Sequence, residues 1–401
     1  MSSSYLLQQV ACLPDPGDNC AIALRRLGPG TILRATDGKA IVLDSTILEG
    51  HRFAVRSISE GEPLLSWGMP CGFLRSKVGP GAYICNAGVL AELATRNLDF
   101  DLPQKPNLED FYEPFQLSRQ SFNPAKQIHP YPQSGTFQGF MRSSNRGVGT
   151  RNHVVILAAS SAASSYVRKL VRDCSSLCDP LQNVDGIVAV AHTEGGTPTK
   201  PNNIDYVLRT LAGFMVHPNV GAVLVADNPA GWIRNSLIRD FLAENSYPIS
   251  EIPHAFLSLD KGFEKSLVQG RQTITGWLEE VNSAKRSLQP LSELKLALQC
   301  GGSDSFSGVS ANPLVGRLAK EIIRHGGTAN LAETVELVGA ESYLLNSVSN
   351  LQTAERFLDF VESFKKKMSW HGHSPESNPS GGNRFRGLYN ISVKSLGAAM
   401  K

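Results

Sequence analysis

Leu294-Lys295-Leu296-Ala297-Leu298-Gln299-Cys300-Gly301-Gly302-Ser303-Asp304-Ser305-Phe306-Ser307-Gly308 is the stretch from which the rest of the chain is read. A short apolar run rises to a cysteine and breaks into two glycines, a serine and an aspartate. Apolar runs closed by glycines read as buried strands that end in a tight turn. Ala311-Asn312-Pro313 then opens Leu314–Ile323, which has helical apolar spacing. Proline suits the first turn of a helix, where its missing N–H is no loss. Cys300 and Asp304 therefore belong in a strand-to-helix loop, the edge of an α/β sheet at which ligands bind. A glycine-rich structural turn around a small buried cysteine accounts for the same residues equally well.

The pattern repeats on either side. His153–Ala158 is an apolar run that turns through Ser160 and Ser161 into a helix over Tyr166–Cys174. Gly186–Ala191 ends in His192-Thr193-Glu194-Gly195-Gly196, Gly221–Ala226 leads into Asp227, and Thr328–Ala332 ends at Glu333. Strands alternating with helices predict a mostly parallel sheet flanked by helices. On such a sheet five junctions, at Ser160/Ser161, His192, Asp227, Cys300/Asp304 and Glu333, are expected to share one edge. A helix that opens with serines offers free N–H groups and the positive dipole end to an anion; capping alone explains the serines too. No G-x-G-x-x-G, Walker or G-x-S-x-G motif is present, so neither nucleotide chemistry nor an elbow-type serine hydrolase is expected.

Residues 18–92 have another texture. Short runs at Asn19–Leu24, Thr31–Leu33, Ala40–Leu43, Arg52–Val55, Pro63–Trp67, Gly72–Leu74 and Ala82–Cys85 are punctuated by Gly and Pro, which predicts a small all-β domain. His51 falls at the start of one of these strands, where a surface or structural role is the ordinary one. Between 96 and 135, six prolines interrupt any regular element, as in a linker. From 371 the chain is rich in Gly, Ser and Asn, and no closing element is evident before Lys401.

Composition narrows the field of functions. The chain has 401 residues, 41% hydrophobic and 19% charged, with a net charge of +3. So small an excess implies neither nucleic acid nor an anionic membrane as a partner. No apolar run approaches the ~20 residues of a membrane span, and no secretory signal opens the chain. Seven scattered cysteines suggest reduced thiols and a cytoplasmic location. Cys174 and Cys178, one helical turn apart, read as half-buried helix positions.

Several motifs together resemble one family. Gly139-Phe140-Met141-Arg142, Gly147-Val148-Gly149-Thr150-Arg151-Asn152, Leu298–Asp304, His325-Gly326-Gly327-Thr328-Ala329, Glu333-Thr334 and Asn378-Pro379-Ser380 look like the altronate/galactarate dehydratases. Gly50-His51-Arg52 and Gly61-Glu62-Pro63 are similar to that family's small SAF-type (β-clip) domain. The resemblance implies a SAF-like domain over 1–95, a Pro-rich linker over 96–135, a second α/β domain over 136–283 and a C-terminal α/β domain over 284–401. Since family members continue past Lys401, the last is expected to be incomplete. It also implies loss of water from a sugar acid to give a 2-keto-3-deoxy acid, in a homo-oligomer that uses iron(II). A sister branch releases sulfite from sulfolactate.

Elimination β to a carboxylate needs a base for the α-proton, a cation for the developing enediolate and an acid for the leaving hydroxyl. His192, Cys300 and Asp304 are the expected catalytic residues, with His192 as base. Arg151, Asn152, Ser160, Ser161, Ser303, His51 and Asn86 are the expected substrate contacts, and Cys300, Glu333 and His192 the expected metal ligands. Family cysteines are replaced at Ser160, Gly196, near Pro229 and near Ala398, and Cys85 stands where a histidine is usual. With fewer soft thiolates, manganese or magnesium becomes an alternative to iron. The alternative functions are a catalytically impaired paralogue that binds a sugar acid or a partner subunit, and a sulfolactate sulfo-lyase-like enzyme on the same scaffold.

Overall fold

The structure is a computed structural model that describes residues 3–111, 115–143, 145–301 and 304–401. These fall into two compact units. One comprises 1–130, 295–324 and 328–401; the other comprises 131–294 with 325–327.

In the first unit the N-terminal region is all-β, as its Gly- and Pro-punctuated runs predict. Strands Cys20–Ala23, Arg52–Ala54 and Tyr83–Ile84 pair antiparallel in one small sheet, and Pro63–Ser66 pairs with Met69–Leu74 in another. Helix α1 (Ala87–Ala94) follows, capped by Asn86. The core of this region is closed by residues some 300 positions downstream: Leu388, Tyr389 and Val393 pack among Phe53, Leu64, Ile84 and Val89. Ile22 and Trp67 likewise pack with Leu396 and Ala399. The closing element absent from the sequence reading is thus the buried helix Ile391–Ala398. Its small residues give it a weak amphipathic signal, because it is covered on all sides rather than on one stripe.

The second unit is doubly wound. Strands β1 (His153–Ala158), β2 (Gly186–Val190), β3 (Val220–Asp227) and β4 (His254–Ser258) form a parallel sheet in the order β2-β1-β3-β4. Alternation along β1 sends Val154, Ile156 and Ala158 to one face and Val155 and Leu157 to the other, so the run is apolar throughout. The first face is covered by helices α2 (Ser164–Cys174) and α3 (Phe263–Ser283), the second by Ile204–Val216 and Asn235–Glu244. Cys174 and Cys178 are fully packed in the first of these cores rather than half-buried.

One expectation is corrected here. The strands at Lys295–Leu298 and Thr328–Leu331 do not extend the four-stranded sheet; they form a separate two-stranded parallel sheet in the first unit. Ser160, His192 and Asp227 therefore share one sheet edge, and Cys300 and Glu333 another. Nor is the Lys295–Leu298 strand deeply buried, since only Leu298 is shielded from solvent. Periodicity identifies parallel strands but carries no information on which of them pair. Among the described residues no helix is long and apolar enough to cross a membrane.

Candidate active site

The turn after Leu298 brings Cys300 to charged groups drawn from three parts of the first unit. Its backbone N–H donates to Glu336 Oε1 at 3.0 Å, and its Sγ lies 3.7 Å from Asn312 Nδ2 near the start of helix Ala311–Arg324. Asn312 is held in turn by donation to Gly397 O at 2.9 Å. Glu336 pairs through its other oxygen with Lys401, and both side chains are buried. Asp304 accepts from Ser307 N–H at 2.9 Å and from Ser307 Oγ at 3.1 Å, which ties down the loop rather than leaving the carboxylate idle. Trp67, Cys300, Asp304, Asn312, Glu336 and Lys394 line a cavity of about 10 Å³, near the size needed for one water molecule. Lys394 donates to Asn378 Oδ1 at 3.0 Å. Burial pulls its ammonium below the usual lysine range, against the opposing pull of Glu336, Cys300 and Glu333. Glu333 is exposed on a backbone of positive φ and accepts from the Gln299 amide.

The two expected contacts from the small β-region are engaged elsewhere. His51 is 0% exposed; Nδ1 lies 2.7 Å from Tyr83 Oη and Nε2 lies 3.0 Å from Phe385 O. Burial, with Arg52 beside it, pushes this imidazole down to about 4, so it sits neutral in the core. Asn86 accepts from Val89 N–H at 2.8 Å and donates to Asp110 and to Tyr389 O, so both of its N–H donors are committed inside the protein. Ser303 lies outside the described residues.

In the second unit Asn152 is also spent: it accepts from Arg142 and donates to Asn183 O and Val281 O. Arg151 is exposed, 4.0 Å from Asp185. His192 accepts from Glu194 N–H at Nδ1 (3.2 Å), which leaves the proton on Nε2 to be donated to Ala158 O at 3.0 Å. No lone pair on this ring is open to a substrate proton. Ser160 and Ser161 open the helical segment as expected, yet the 194–196 loop lies directly over them. Ser161 N–H donates to Glu194 O at 2.8 Å, and a side chain at Gly196 would come within 2.0 Å of Ser161 Oγ and 3.0 Å of Ala162 N. The helix start is therefore roofed by backbone and closed to an anion. Asp227, at the end of β3, accepts from Asn235 N–H at 2.9 Å and so starts the following helix.

Family models match along its length: "Altronate/galactarate dehydratase SAF domain" at 11–90, "D-galactarate dehydratase/Altronate hydrolase, second domain" at 139–282, and "D-galactarate/Altronate dehydratase, C-terminal" at 291–401. The altronate dehydratase of Escherichia coli (strain K12) is 30% identical over 385 residues, covering 96% of this chain and 72% of that protein. The chain belongs to the altronate/galactarate dehydratase family. The altronate dehydratase of Bacillus subtilis (strain 168) is 29% identical over 389 residues, again covering 96% and 72%. The (2R)-sulfolactate sulfo-lyase subunit beta of Chromohalobacter salexigens is 28% identical over 268 residues, 66% of this chain and 64% of that protein. In this family member the SAF match and nearly all of the C-terminal match lie in one compact unit, and the second-domain match in the other.

The expected metal finds no ready seat. Among the described residues no group of three or more His, Cys, Asp or Glu converges where it could hold a metal ion. Cys300 and Glu333 belong to one unit and His192 to the other. Among the described residues, neither unit by itself gathers the donors an iron ion needs. Glu336, Asn312, Lys394 and Lys401 are the residues that the sequence reading missed. Glu336 alone left a signal, one helical turn after Glu333; the others reach Cys300 only through packing between distant segments.

Proposed function

We propose that this chain is a hydro-lyase that removes water from a sugar acid. The α-proton passes to a base, the β-hydroxyl leaves with a proton from an acid, and the enol left behind tautomerises to a 2-keto-3-deoxy acid. One observation carries the reading: Cys300, Glu336 and Lys394 are drawn to a single cavity within the region that matches the family's C-terminal domain. Lys394 is suited to take the proton, because burial favours its neutral amine. The Cys300 thiol beside it can return a proton to the departing hydroxyl. Glu336 and Asn312 set the position of Cys300 and take no part in the proton transfers. His192 receives no step, since both of its nitrogens are engaged.

A binding-only reading is favoured by one observation, the smallness of the Cys300 cavity, which at about 10 Å³ admits no sugar acid as it stands. A panel of aldonates and aldarates assayed for α-keto acid separates the two. The expected result is turnover of at least one member, lowered roughly 10²-fold in Lys394→Met and in Cys300→Ser. Folded protein that binds but turns over none of the panel supports the binding-only reading. Sulfite release from (2R)-sulfolactate without dehydration replaces the leaving group and overturns the sugar-acid reading.

A further inference from the structure

The all-β region of the first unit holds a pocket that shares no residue with the Cys300 cavity. A small sheet forms one wall, with Ile32–Arg34 parallel to Ser4–Leu6 and antiparallel to Ala40–Val42. The pocket measures about 670 Å³, within the ~300–1,000 Å³ usual for small-molecule sites. Its floor is aliphatic. Leu7, Leu13 and Val55 pack on the core that contains Ile41, and all four side chains also line the pocket. Leu6, 46% exposed, adds to the wall. Single exposed leucines are ordinary on a protein surface, whereas a hollow lined with aliphatic side chains marks a binding site.

The cations around this floor are poorly matched. Arg34, Lys39 and Arg56 line the pocket with exposed side chains. Lys39 is taken up by Asp37 at 2.9 Å. Arg56 reaches Glu62 only at 3.9 Å, and Glu62 also accepts from Ser59 N–H at 2.9 Å. Arg34 joins no ion pair among the described residues. Arginine lays its stem along apolar surface and keeps its head in water. One ligand satisfies both features, an apolar body for the floor and a single anionic head for the guanidinium groups. A sugar acid does not. Its hydroxyls would lose water against Leu7, Leu13, Ile41 and Val55, which have no donor or acceptor to offer in return.

We infer that this pocket binds a small amphiphilic anion of the medium-chain carboxylate class. Its chain lies on the aliphatic floor and its carboxylate pairs with Arg34 and Arg56, either of which can take both oxygens. The inference is independent of the hydro-lyase reading, because it uses none of the residues at Cys300.

Titration calorimetry of the full chain with octanoate, 1-octanol and acetate tests this. Octanoate should bind saturably at one equivalent, and acetate, which has the head without the chain, not measurably. 1-Octanol should bind roughly tenfold more weakly than octanoate. On a merely greasy surface the alcohol would bind at least as well, since it is cheaper to desolvate than a carboxylate. The double variant Arg34→Gln, Arg56→Gln should keep the wild-type melting temperature, because both side chains are exposed. It should lose roughly tenfold in octanoate affinity, together with the weakening by salt that wild type shows, and bind 1-octanol unchanged. If the double variant does not fold, Arg34→Gln alone decides on the same readings, since Arg34 has no ion pair to lose. 1-Octanol binding wild type as tightly as octanoate, octanoate affinity unaltered in the variants, or no octanoate binding by wild type overturns the inference.

Discussion

Asn86→Ala distinguishes a structural asparagine from a substrate contact. In the fold Asn86 is 1% exposed, and both ends of its amide are hydrogen-bonded within the core. Its Oδ1 accepts from Val89 N–H at 2.8 Å, capping α1, and its Nδ2 donates to Asp110 at 2.7 and 2.9 Å and to Tyr389 O at 3.1 Å. Loss of the cap costs about 1 kcal/mol. Stripping the donor from a buried carboxylate and a buried carbonyl adds about 1–3 kcal/mol. We therefore predict a loss of about 2–4 kcal/mol, read in the urea transition of the first unit and as faster hydrogen exchange at Val89. Asn86→Asp restores an acceptor for Val89 but sets a second carboxylate against Asp110, so it should be no better than alanine. A stability within about 0.5 kcal/mol of wild type, together with lost sugar-acid binding, would refute the capping argument and return Asn86 to the substrate.

Three further outcomes are expected. The unfolded chain protonates His51 as pH falls through 6.5, while the folded chain resists until about 4. Stability from this site is complete above pH 6.5, is lost between 6.5 and 4, and changes no further below; the total is about 3 kcal/mol. Urea midpoints of wild type and His51→Gln from pH 7 to 4 check it, and parallel curves would refute it. Cys300→Ser should keep the wild-type melting temperature and lose roughly 10²-fold in kcat/KM; full activity would return Cys300 to a packing role. Iron(II) titrated anaerobically should find no tight stoichiometric site, since no ligand trio converges among the described residues. Saturation at one equivalent, resistant to chelator, would show that the donors gather in a way not seen here.

Local pattern determined a large part of this protein on its own. Val154 to Ala158 and Ala222 to Ala226 are apolar at every position, and only a strand covered on both faces needs that. Six of the seven Gly- and Pro-punctuated runs of 18–92 mark their strands to within a residue, because turn chemistry is written in adjacent residues; the run at Gly72–Leu74 misses the first three residues of Met69–Leu74. Family membership was legible for a similar reason, in short motifs such as Gly147–Asn152 and Leu298–Asp304.

Site composition was another matter. His51, Asn86 and Asn152 are polar residues in promising motifs, and each proves to be saturated by partners that only the fold supplies. Lys394 carries no local mark and Glu336 only its spacing from Glu333, yet packing sets both at the Cys300 cavity. The division of the strands into two sheets was equally silent, since the same alternation serves either pairing. Hydrogen-bond saturation and charge balance depend on which surfaces meet, and here Arg52 and Tyr389 meet across 337 residues of chain. Strand and turn propensities act over a few neighbouring residues; the burial of Arg52 and its bonds to Gly387 O and Ser66 Oγ arise only when those distant segments close around it.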